Sequence, residues 1–166
     1  MSNADDSKQE KWSFEHSVEC HASRSLAWQF WTNVANWAVV DSSAEAVELD
    51  GPFVAGAKGI TKFRDQPPIE WRIIEVQDGS SARIEIPAPG AVLKCFWSFE
   101  TSANGGTRIT QRMSMEGEKA EDYVTTIGPE MERGIPQGMQ KLADAMAEAA
   151  SHRALGSAGK QADIES

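Results

Sequence analysis

From Lys119 to Ala150 the chain reads KAEDYVTTIGPEMERGIPQGMQKLADAMAEAA, the one segment long enough to form a helix that spans a whole domain. Val124, Ile127, Met131, Ile135, Met139, Leu142, Met146 and Ala149 follow one another at steps of three or four and make a single apolar stripe. Glu130, Glu132, Arg133, Gln140, Lys141, Asp144 and Glu148 fall off it. Pro129 after Gly128 suits a first helical turn, whereas Pro136 removes a donor and crowds the carbonyl of Glu132. The spacing predicts a start near Pro129, a kink near Pro136 and an end near Ala150, about 33 Å of helix at 1.5 Å per residue. A helix with one greasy face needs a surface to lie on, and the rest of the chain has to supply it.

Upstream, the periodicity is that of strands. Trp12, Phe14, His16, Val18 and Cys20 alternate with polar neighbours. Ser23 is a good N-cap for a short helix carrying Leu26, Ala27, Phe30 and Trp31, and Asn33 caps a second one carrying Val34 and Trp37. Strands then surround Val47 and Leu49, open near Lys58, and run from Glu70 to Gln77, Ser81 to Ile86, Val92 to Thr101 and Thr107 to Met115. Asp50-Gly51-Pro52, Asp78-Gly79 and Asn104-Gly105-Gly106 mark turns between them. Seven strands joined mostly by tight turns imply an antiparallel sheet with one apolar face, and the terminal helix is its cover. The fold class is α+β. The domain is expected over 12–150, with disordered segments at 1–11 and 151–166.

Composition bounds the function. At 166 residues and 40% hydrophobic, the chain can bury one real core. A formal net charge of −9 opposes attraction to nucleic acid or to an anionic membrane surface, so neither is an expected partner. No apolar run approaches the roughly 20 residues of a bilayer span, and the polar start lacks a signal-peptide core; a cytoplasmic protein without membrane insertion is expected. Six Trp and six Phe against one Tyr make a heavy apolar aromatic load, either core filler or pocket lining.

ASRSLAWQFWTNVANWAVVD after the first strand, ELDGPFVAGAKG in the middle, WRIIEV and the late proline-bearing helix together resemble the helix-grip superfamily. That superfamily includes the START domains, the birch-pollen-allergen fold and the bacterial polyketide cyclase/dehydrase-like (SRPBCC) branch, which this chain resembles from about Trp12 to Ala150. Asn33 stands where those bacterial members often carry Asp, and Val40 where many carry Trp. The resemblance implies a seven-stranded curved sheet wrapped around the helix, with an apolar cavity between them for a lipid, quinone or polyketide-like ligand. It implies no shared catalytic residues.

Motif chemistry is sparse. In GPFVAGAK, Ala57 separates Gly56 from Lys58 and no Ser or Thr follows, so a phosphate loop is excluded; Gly56 and Gly59 are expected to permit unusual backbone geometry. His16 and Cys20 share a strand face about 13 Å apart, and His21 points the other way, so no metal site or other cofactor is expected. Pocket candidates on the sheet side are Trp71, Ile73, Ile84, Leu93, Trp97, Gln111 and Met113. On the helical side they are Trp37, Tyr123, Ile127, Met131 and Ile135. The leading reading is binding of a small hydrophobic ligand. Two alternatives are a cyclase or dehydratase in the same cavity, with His16 or Glu75 as general base, and a protein-interaction module resembling chaperone activators. The strand face of Glu75, and with it any role, is open in the sequence. The resembled strand order sets Cys20 and Cys95 two strands apart, at least about 9.5 Å, beyond disulfide reach. Thiol titration of the denatured, unreduced protein should therefore find two free thiols.

Overall fold

The computed structural model describes residues 12–41 and 43–165, with side chains as far as residue 152. The elements are β1 (Trp12–Cys20), α1 (Arg24–Thr32), α2 (Ala35–Val40), β2 (Ala44–Leu49), β3 (Lys58–Phe63), β4 (Ile69–Gln77), β5 (Ser81–Ala88), β6 (Ala91–Thr101), β7 (Thr107–Glu116) and α3 (Ala120–Glu165). The seven strands form one antiparallel sheet in the order β1-β7-β6-β5-β4-β3-β2. The alternations read for β5, β6 and β7 have their physical counterpart: Ile84 and Cys95, and Ile109, Gln111, Met113 and Met115, are buried on the inner face. Segment 1–11, expected to be disordered, lies outside the described residues.

The short helices differ from expectation at one cap. Ser23 Oγ accepts from Leu26 N at 3.2 Å and starts α1 as predicted. Asn33, however, ends α1 instead of opening α2; its backbone carbonyl accepts from Asn36 N at 2.9 Å, and Val34 is the residue at the N-cap of α2. Only Asn33 and Val34 separate the two helices, so the stop of one runs directly into the start of the next, and α2 opens without a side-chain cap.

α3 begins at Ala120, ahead of Pro129, and its helical backbone continues past Ala150. Glu121 and Asp122 favour the early start, because acidic groups in a first turn complement the helix dipole. The start is also pinned to the β5–β6 turn: Lys119 N donates to Gly90 O at 2.9 Å and Tyr123 Oη to Pro89 O at 2.8 Å. The helix is continuous through Pro129 and Pro136. Over 151–165, where a disordered tail is expected from sequence, Ala, Leu, Arg, Lys and Gln are good helix formers with no further proline to stop them.

The helix lies along β1, not centrally over the sheet. Trp12 Nε1 donates to Glu132 Oε1 at 3.2 Å near one end of the contact, and Cys20 Sγ reaches Ala143 O at 3.5 Å near the other. Ala143 and Met146, which meet Cys20, are buried along this seam. Cys20 and Cys95 are both free, on strands separated by β7.

Two local features shape the inner face. In β4, a register irregularity between Ile73 and Glu75 breaks the alternation, so Ile74 and Glu75 are both exposed while Trp71 and Ile73 point inward. This settles the face of Glu75: it is exposed and pairs with Arg83, Nε to Oε2 at 3.9 Å. In β3, Gly59 does not adopt a positive φ, unlike Gly56 at +93°. Its role is close approach: Trp71, its cross-strand partner, lies over it, and an added Cβ would stand 2.2 Å from the indole ring. Gly59→Ala should therefore lose about 1 to 3 kcal/mol in urea unfolding, the range for overpacking a tight site.

Candidate functional site: the cavity beneath the long helix

The end of the inner face near α1 and α2 is walled by indole rings. Trp37 stacks on Trp71 with centroids 4.9 Å apart, and Trp31 meets Trp37 at 5.7 Å and Trp97 at 5.2 Å. Hydrogen bonds fix two of these rings: Trp37 Nε1 donates to Trp31 O at 2.7 Å and Trp71 Nε1 to Thr61 Oγ1 at 3.0 Å. A ring that is both stacked and hydrogen-bonded cannot swing to fill neighbouring space, so the wall is stiff.

Between that wall, the inner sheet face and α3 lies a cavity of about 990 Å³. The helix keeps it open with small residues. Gly134 and Gly138, one turn apart, both line the cavity, and a Cβ added to either would meet nothing within 4 Å. Because α3 leans on β1, its other edge stands away from β2 and the β3–β4 connection. Exposed charged groups line this open side: Glu130 and Lys141 from α3, Asp41 after α2, and Arg64 after β3.

Nine of the residues singled out in the sequence meet here. Trp71, Ile84, Trp97, Gln111 and Met113 line the cavity from the sheet, and Trp37, Ile127, Met131 and Ile135 from the helices. Three do not line it. Ile73 is 0% exposed and belongs to the packed core, and its backbone is paired with the connection before β3, Gly56 N donating to Ile73 O and Ile73 N to Ala57 O. Leu93 packs against the core near the far end of β6. Tyr123 is occupied in tethering α3 to Pro89. The two candidate bases are also elsewhere. Glu75 sits exposed in its ion pair with Arg83, and half-buried His16, in register with Gln111, is outside the lining because α3 lies along its strand.

Trp31, Arg64, Gly134, Gly138 and Lys141 also line the cavity and were not among the candidates. The glycines were findable: they share the apolar stripe with Met131 and Ile135, and a Gly on such a stripe marks missing volume. Arg64 and Lys141 carry no such signal, since charged residues at a strand end and a helix edge read as ordinary surface. Among the described residues, no group of three or more His, Cys, Asp or Glu could hold a metal ion.

Cys95 lines the cavity, and burial pushes its thiol up to about 12 from an ordinary 9.0. A thiol kept neutral in the folded state and free to ionise in the unfolded one contributes stability below pH about 9 that is lost as pH rises toward 12.

A curved antiparallel sheet gripping a long C-terminal helix, with two short helices after the first strand and a cavity between, defines the helix-grip class. Residues 11–151 match the family model described as polyketide cyclase / dehydrase and lipid transport, and the chain belongs to that family. No curated protein is significantly similar to it in sequence. Among solved structures, it is similar to norcoclaurine synthase from Thalictrum flavum in complex with dopamine and hydroxybenzaldehyde, at TM-score 0.65 and 14% identity over 82% of this chain and 87% of that one. It is also similar to the di-domain ARO/CYC StfQ of the steffimycin biosynthetic pathway, at TM-score 0.68 and 11% identity, covering 90% of this chain and 54% of that one. Ara h 8.0201 matches at TM-score 0.61 and 8% identity, over 82% and 98%. At these identities the likeness establishes the fold.

Between pH 8 and pH 10, the wild type should lose about 1 kcal/mol more unfolding free energy than Cys95→Ala, since one pH unit beyond the unfolded-state pKa is worth about 1.4 kcal/mol. Urea midpoints of both proteins across that range check this.

Proposed function

We propose that this protein binds one small apolar or amphipathic molecule, lipid-, quinone- or polyketide-like, in the cavity between the inner sheet face and α3. The observation that carries the reading is the cavity itself: about 990 Å³ of space, walled by indoles and by Met113, Met131 and Ile135, in a domain of this size. It lies at the upper end of the range of small-molecule sites, roughly 300 to 1,000 Å³. The methionines suit an adaptable lining, because unbranched thioether chains conform to varied apolar shapes. Charged groups on the open side, Arg64 and Lys141 among them, fit an amphipathic ligand whose polar end stays at the mouth. The family, with its lipid-transport and cyclase members, is consistent with such an occupant.

A cyclase or dehydratase would use the same cavity. Neither residue considered as its general base lines that space, so the binding reading is the better supported of the two.

The test is to fill the space without harming the fold. Wild-type protein should bind an environment-sensitive apolar dye such as 1-aminoanthracene saturably and near one to one. Gly138→Leu should weaken that binding at least about tenfold while leaving stability equal or higher, because replacing a helix glycine gains about 1 kcal/mol of propensity. Failure of the wild type to bind the dye, a long-chain lipid or an aromatic polyketide would sink the proposal. So would Trp97→Ala costing the 3 to 5 kcal/mol of a close-packed core truncation.

A further inference from the structure

Among the described residues of the lining, two side chains with a hydroxyl or carboxamide are not exposed: Thr61, whose Oγ1 already accepts from Trp71 Nε1 at 3.0 Å, and Gln111 on β7. Gln111 is 8% exposed, on the buried face between the strands that carry His16 and Trp97, and it lines the cavity. Its carboxamide is poorly satisfied by the protein. Nε2 lies 3.1 Å from Met113 Sδ, a weak acceptor, and Oε1 has no hydrogen-bond partner among the described residues. No sealed side-chain nitrogen or oxygen in the described structure lacks a partner, so Oε1 borders open space, and the space that Gln111 lines is the cavity. Directly across the β6–β7 ladder stands Trp97, also in the lining, whose indole N–H has no protein acceptor among the described residues.

An amide held against an apolar cavity with a free acceptor is costly unless something arrives to use it. We infer that Gln111 is the specificity-determining contact of the cavity, and that the ligand class it selects is an apolar scaffold carrying a hydroxyl at its buried end. This rests on the ligand-binding reading above. The chemistry favours a hydroxyl over a carbonyl. A hydroxyl donates to Gln111 Oε1 and still accepts from an indole or amide N–H, whereas a carbonyl leaves Oε1 unpaired. It also gives the ligand a direction: the hydroxyl points inward to β7, away from the charged mouth at Arg64 and Lys141.

A matched probe pair separates this from simple partition into grease. Affinities of 2-naphthol and naphthalene are measured by equilibrium dialysis against the wild type, Gln111→Met and Trp97→Phe. Methionine keeps the length of the glutamine side chain without its acceptor, and phenylalanine keeps an aromatic ring without its N–H. The naphthol-to-naphthalene affinity ratio should fall about tenfold in Gln111→Met and by a smaller factor in Trp97→Phe. If naphthalene binding is retained and the ratio does not move in either variant, the amide is served by a resident water, and the inference is overturned while the binding reading stands. If neither probe binds the wild type, both fall together. Should Gln111→Met fail to fold, the ratio in Trp97→Phe decides alone.

Discussion

The structure depends on a helix that is attached along one edge. α3 is seamed to β1 by the buried Ala143 and Met146, which meet Cys20, and by the hydrogen bond from Trp12, and its first turn is tied to the β5–β6 turn. Protein interiors are dense, so a helix packed closely over the middle of this sheet would leave few voids larger than a water. Laid along β1, it is held firmly on one side and stands off β2 and β3 on the other. The cavity is the geometric remainder of that asymmetry, and the exposed charges at its open side are what solvent demands of such an edge.

Space beneath a helix still has to be defended against the side chains around it. The indoles of Trp37 and Trp71 cannot rotate into it without giving up stacking and hydrogen bonds. Trp71 in turn needs Gly59 beneath it. On the helix, Gly134 and Gly138 contribute no volume, although two interior glycines weaken a helix by about 1 kcal/mol each and Pro136 between them by about 3 kcal/mol. The two glycines fall on the cavity-lining side of α3, within the same span, Glu132 to Ala143, whose other side is fastened to β1. That placement is what a chain needs if it is to retain a void: stability is concentrated in the seam, and volume is withheld elsewhere.

The polar inventory of the interior follows the same division. Cys95 is kept protonated by burial, and among the described residues no side-chain nitrogen or oxygen is sealed away unsatisfied. The amide of Gln111 is not sealed: it opens onto the cavity, where an occupant can reach it. The result is an apolar chamber with a hydrogen-bonding group in its inner wall and mixed charge at its mouth.

Much of this was legible in the sequence because it is periodic. Alternation assigned Ile84, Cys95, Trp97 and Met113 to one face, and steps of three and four put Ile127, Met131 and Ile135 on another; since those are the faces that must meet, the sheet and its cover followed. Periodicity failed where a single residue interrupts it. The irregularity between Ile73 and Glu75 moved Glu75 outside, and Ile73, whose alternation pointed to the pocket, is packed into the core instead. Tyr123 was drawn off by the Pro89 carbonyl, a partner 34 residues away that no local pattern names. A sequence records which side chains dislike water, and so which surfaces will be covered. How closely two covered surfaces approach depends on where the helix is fastened and which atoms are missing between them, and that is decided only when distant parts of the chain come into contact.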